Sequence, residues 1–167
     1  NNEINGEINP YLTIEVTENG ATYKVIVTNI NTSETCEDEI VLTWLENHLC
    51  MIPMEPRQHG CSVIEGMNVT KEKVQTLAKA ADNCWEAIMN TDLELFAKAY
   101  KDSFNAQVAM FPAMIQGCVQ NYIDKYSAID DVLAWKMPGA GGGGYLACVV
   151  KDTESFCKNH PEAIKLK

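Results

Sequence analysis

A chain of 167 residues, 46% apolar and 22% charged, has the material for one folded domain with a real core. Its formal net charge of −10 argues against nucleic acid or an anionic membrane as partner, since both need clustered cations to displace counterions. No apolar run approaches the roughly 18 residues that a membrane helix requires.

The chain opens with a predicted hairpin. Tyr11 to Thr17 and Ala21 to Val27 are rich in β-branched residues, and Asn19-Gly20 between them supplies the two left-handed positions of a type I′ turn. Asn29 to Glu39 reads as a polar connection. Ile40, Val41, Trp44 and Leu45 then fall at helical spacing, and Leu49-Cys50-Met51-Ile52 reads as a strand. Thr70 stands where an N-cap belongs, ahead of Val74, Leu77, Ala78, Ala81, Trp85 and Ile88 at period 3.6. Thr91-x-x-Glu94 has the form of a capping box opening a second long helix that Phe111-Pro112 ends. A third helix is predicted from about Pro112 through Ile123. Val132 to Trp135 and Tyr145 to Val150 are apolar strands, and Thr153 to Lys158 is a last short helix. Strands, then helices, then strands give an α+β domain over residues 1–167, with an antiparallel sheet and helices packed on one face.

Between the last two strands lies Lys136-Met137-Pro138-Gly139-Ala140-Gly141-Gly142-Gly143-Gly144, in which five of the last six residues are glycine. A flexible linker would continue in Gly and Ser, whereas this segment turns directly into an apolar strand. Glycine admits positive φ and close approach by another backbone or a ligand, at a cost in chain entropy. Consecutive N–H groups of such a loop can form an anion-binding concavity; a tight strand-to-strand turn is the plain alternative.

At this loop the sequence resembles the galacto-, homoserine, mevalonate and phosphomevalonate (GHMP) kinase superfamily, whose third motif is a Gly-Ala-Gly-x-Gly-Gly loop usually preceded by Lys and a Ser or Thr. Lys136 and Gly139 to Gly144 match, Tyr145-Leu146 continues as the following strand, and Pro138 stands in place of the hydroxyl residue. The all-glycine form, Gly141 through Gly144, is similar to the branch of fucose kinases and heptose-phosphate kinases, as is Met54-Glu55-Pro56-Arg57-Gln58-His59-Gly60. The resemblance spans residues 45–151 and corresponds to the family's ferredoxin-like C-terminal domain alone. The family's phosphate loop, Pro-x-x-x-Gly-Leu-x-Ser-Ser, is not found, since Ser33, Ser62, Ser103, Ser127 and Ser155 are all isolated.

The resemblance implies the C-terminal half of an ATP-dependent sugar or sugar-phosphate kinase that needs magnesium and works in the cytoplasm, with the N-terminal kinase domain as its partner in cis. It implies Lys136, Gly139, Ala140, Gly141, Gly142, Gly143 and Gly144 as cofactor-side residues and Arg57 and His59 as contacts to the sugar or its phosphate. It implies no catalytic residue and no metal ligand within this chain, so that the isolated chain is inactive. A non-catalytic ligand-binding or assembly module on the same scaffold is the competing expectation.

Other candidates carry plainer readings. Cys36, Cys50, Cys61, Cys84, Cys118, Cys148 and Cys157 form no Cys-x-x-Cys pair and have no His at ligand spacing, which implies no zinc site and cytosolic usage. Asp130-Asp131 admits a metal role, but Asp populates turns of this kind for its own hydrogen-bonding reasons. His48, His59 and His160 have no partner in sequence to mark a general base.

Overall fold

A computed structural model describes residues 35–60 and 62–166 in full, together with the backbone of the strands within residues 3–34. Strands β1 (Glu3–Ile4) and β2 (Glu7–Ile8) pair antiparallel, and β3 (Leu12–Asn19), β4 (Thr22–Asn29) and β5 (Glu34–Cys36) form a three-stranded antiparallel sheet. The hairpin expected from the alternating sequence is therefore present, with Asn19 paired to Thr22. Its turn residue Gly20, like Cys61, lies outside the described residues.

Helix α1 (Glu39–His48) starts at Asp38, whose carboxylate accepts the N–H of Ile40 at 2.8 Å, and passes directly into β6 (Leu49–Pro53). Helix α2 (Lys71–Met89) is capped by Thr70 as the sequence predicts. The next helix, α3 (Leu93–Met110), is capped one residue later than expected: the Asp92 carboxylate accepts the N–H of Leu95 at 3.0 Å, and Thr91 takes up φ 50°. A tight turn at Ile88 to Asp92 leaves Thr91 left-handed, so its hydroxyl is not the cap.

The third helix is shorter than its apolar spacing predicts. Pro112–Met114 forms a single 3₁₀ turn, Gly117 adopts φ 59°, and the regular helix α4 runs only over Val119–Ser127. Strand β7 (Val132–Lys136), strand β8 (Tyr145–Val150), helix α5 (Thr153–Asn159) and strand β9 (Ile164–Lys165) complete the chain.

The main sheet has the order β7-β8-β6-β9, antiparallel throughout, with five helices packed against it. Counting its strands in chain order as 1 to 4, the spatial order is 2-3-1-4, the split pattern of a ferredoxin-like β-α-β-β-α-β unit with extra helices before the second strand. The fold class is thus α+β. Side chains alternate along each strand between two clusters: Leu49, Ala147 and Val149 join Leu45, Ile88, Phe96 and Tyr100, whereas Cys50, Ile52, Leu146 and Cys148 join Val119, Ile123, Tyr126 and Phe156. The topology places β6 beside β8, so the segment leaving β6 and the glycine loop entering β8 meet at one end of the sheet. Among the described residues, no helix is long and apolar enough to cross a membrane.

Candidate functional site

The glycine loop is gripped from two sides. Pro53 pairs with Tyr145, and the pairing continues past the strand ends: the N–H of Met54 donates to the Gly144 carbonyl at 2.7 Å, and the N–H of Gly144 donates to the Glu55 carbonyl at 3.0 Å. On the other side, the N–H of Gly142 donates to the Met114 carbonyl at 2.9 Å, in the 3₁₀ turn that ends α3. The Arg57 Nε donates to the Gly141 carbonyl at 3.0 Å.

The glycines at the centre are required by this grip. Gly141 to Gly144 all have positive φ, at 83°, 76°, 147° and 95°. A Cβ on Gly141 would stand 2.7 Å from the Met114 backbone, and one on Gly143 would stand 2.6 Å from the Glu55 carbonyl oxygen. Both contacts are closer than real Cβ atoms come to backbone, so these two positions exclude any side chain on space as well as conformation. Gly139 is different, with open space around it and no positive φ, and it shares the exposed tip with Pro138 and Ala140.

The predicted site residues therefore divide. Arg57 lies on the loop itself, its side chain over Gly142, where a Cβ would meet Cγ at 3.3 Å and Nε at 3.4 Å. His59 is exposed two residues further on. Lys136, which leads into the loop, directs its ammonium to the Ser103 hydroxyl of α3 rather than to the loop tip. Burial lowers its pKa from 10.5 to about 8, partly offset by the nearby Cys84 thiol of α2. The N–H groups of Gly142 and Gly144 are already taken by protein carbonyls, so what they contribute is the shape of the loop.

Three residues that sequence reasoning did not single out complete the arrangement: Glu55 and Met114, whose carbonyls hold the loop, and Ser103, which receives Lys136. The backbone roles of Glu55 and Met114 leave no trace in side-chain identity. Glu55 also turns its carboxylate to Cys118, and burial together with this hydrogen bond raises the Cys118 thiol. Burial pushes the Cys84 and Cys148 thiols up to about 12, and Cys50 higher still. Asp131 forms a surface ion pair with Lys151 at 3.5 Å, and no group of three or more His, Cys, Asp or Glu among the described residues could hold a metal ion.

Compared with known proteins, the chain matches no family model and no curated sequence.

Proposed function

We propose that this chain is the C-terminal domain of a cytoplasmic, ATP-dependent sugar or sugar-phosphate kinase of the GHMP type, and that its glycine loop forms one wall of the active cleft. The observation that supports the reading is the grip on the loop: a strand-to-strand turn needs two or so special residues, whereas here four successive left-handed glycines are clamped against Glu55–Arg57 and Met114. Phosphoryl transfer depends mainly on positioning and on stabilising charge, so a rigid wall is a meaningful contribution. Arg57 stands on that wall where it can meet an acceptor, and Lys136 secures its base against α3.

In this account the phosphate loop and the magnesium ligands belong to the N-terminal kinase domain in cis. ATP with its magnesium supplies the transferred phosphoryl group, and this chain's residues orient what lies against it. The test is ADP release from ATP and magnesium with a panel of sugars and sugar phosphates, comparing the isolated chain with the full gene product. The kinase reading expects a Gly-Leu-x-Ser-Ser segment upstream and turnover by the full product alone. Turnover by the isolated chain refutes it; an unrelated upstream sequence with no turnover also refutes it and favours the non-catalytic module.

A further inference from the structure

Across the middle of the main sheet three side chains stand in one row. Cys50 of β6 is paired with Cys148 of β8 on one side and with Lys165 of β9 on the other. Paired residues share a face of the sheet, and both cysteines belong to the cluster with Val119, Tyr126 and Phe156, so the two thiols meet inside that cluster. Directly opposed residues of an antiparallel pair have Cα atoms about 4.5 to 5.5 Å apart, within the roughly 4.4 to 6.8 Å that a disulfide spans. A third thiol, Cys157 of α5, stands beside them. Burial raises the Cys50 thiol, and Cys148 and Cys157 raise it further, which puts both within electrostatic reach of Cys50. Burial raises the Cys157 thiol as well, but the Lys165 ammonium nearby opposes the rise. All three thiols are free; Cys50 and Cys148 are buried, whereas Cys157 is only half-buried. A single buried cysteine serves as a small hydrophobe. Two directly opposed, with a third thiol near the surface beside a cation, form a path for oxidation.

We propose that Cys50 and Cys148 are a reversible oxidation site that closes to a cross-strand disulfide, and that Cys157 is the thiol through which hydrogen peroxide reaches it. The Cys157 thiolate takes one oxygen from the peroxide to become a sulfenic acid, and the hydroxide released takes up the thiol's proton as water. The Cys50 sulfur attacks the Cys157 sulfur, and the hydroxyl leaves with the Cys50 proton as a second water. The Cys148 sulfur then attacks the Cys50 sulfur, its proton passing to the Cys157 sulfur, which leaves as a thiol. In sum two thiols and one peroxide give one disulfide and two waters, and Cys157 is restored. A dithiol reductant reverses the change by thiol–disulfide exchange. The bond ties β6 to β8, the two strands whose continuation grips the glycine loop, and it does not depend on the kinase reading.

The experiment exposes the reduced, folded chain to hydrogen peroxide, blocks the remaining thiols with N-ethylmaleimide in denaturant, and maps tryptic fragments by mass spectrometry without reduction. The Cys50–Cys148 linkage should dominate, and dithiothreitol should remove it. Cys157→Ser should form the same linkage about tenfold or more slowly, because the remaining two thiols are buried. Cys148→Ala should stop at a Cys50–Cys157 bond. Thermal midpoints verify that both variants fold, and in the parent the time course gives the same order, with Cys50–Cys157 preceding Cys50–Cys148. Conversion of Cys157 to the sulfinic acid while Cys50 and Cys148 stay free would overturn the site, as would pairings scattered over the cysteines as they are in urea. A Cys50–Cys148 bond that forms at the parent rate in Cys157→Ser would overturn the route through Cys157.

Discussion

The carbonyl oxygen of Glu55 stands 2.6 Å from the place a Cβ on Gly143 would occupy, and the same carbonyl accepts the N–H of Gly144 at 3.0 Å. Main chain meets main chain here with no room between, which is why the loop is written in glycine. Gly143→Ala should cost at least about 2 kcal/mol, from the backbone clash and the strained φ together. Gly139→Ala, facing open space, should stay within about 0.5 kcal/mol of the parent. Denaturant unfolding of both variants checks the contrast, and equal losses would show that the loop does not pack as described.

Lys136 makes stability depend on pH on the alkaline side. Burial holds its pKa at about 8 against 10.5 unfolded, so between those values the unfolded chain binds a proton that the folded chain has released. Stability contributed by this residue therefore rises with pH across that window, by about 3 kcal/mol in all, because the buried charge is relieved. Lys136→Met should raise stability at pH 7 and flatten this rise relative to the parent. Urea midpoints of the two proteins from pH 7 to 10.5 measure it; parallel curves would mean that the ammonium is solvated.

Thr91 carries a left-handed backbone with a β-branched side chain, at φ 50°. Thr91→Gly should stabilise the chain by about 0.5 to 1 kcal/mol, since the relief of strain exceeds the extra freedom of the unfolded glycine. Asp92→Ala should cost about 1 kcal/mol as the true cap of α3 is lost. Thermal midpoints moving in opposite directions for these neighbours would verify the cap; a loss at Thr91 would restore the capping box read from sequence.

The elements set by local signals were legible before the structure. Thr70 as N-cap, Phe111-Pro112 as a stop, and the strands on either side of the glycine loop each follow from residues within one turn of the chain. Long-range partners were not legible. Strand β9 is two residues long and exists because β6 offers it an edge at Cys50 and Met51. The segment after Pro112 has helical spacing, but its Met114 carbonyl is engaged by Gly142 and Gly117 turns left-handed, so the regular helix starts later. At the candidate site, Arg57 and the glycines could be picked out by residue type. Glu55 and Met114 act through backbone oxygens that no sequence pattern records.

Tyr126 is fully buried, and its hydroxyl donates to the Glu162 carboxylate at 2.6 Å, tying α4 to the segment before β9. Tyr126→Phe should cost about 1 to 2 kcal/mol at pH 7. The Tyr126 hydrogen bond lowers the Glu162 pKa from 4.5, so this contribution is fully present above that value and is lost as the pH falls through the folded pKa. The difference between parent and variant should therefore shrink in acid, as followed by thermal unfolding at pH 7 and pH 3; a constant difference would place the stabilisation in packing and not in the hydrogen bond.

The claim that the glycine loop is a wall of an active cleft is tested most directly at Gly142, where the nearest atoms to an added Cβ belong to the flexible Arg57 side chain, from 3.3 Å outward. Gly142→Ala in the full gene product should remain folded, at a cost of about 1 to 2 kcal/mol for its left-handed φ. It should displace Arg57 and lower kcat/KM for the acceptor on the order of 10- to 100-fold. The measurement is kcat/KM from ADP release beside the thermal midpoint, for this variant and the parent. A large fall in turnover with a small fall in stability is the predicted result; unchanged kcat/KM in a folded Gly142→Ala protein would contradict the account.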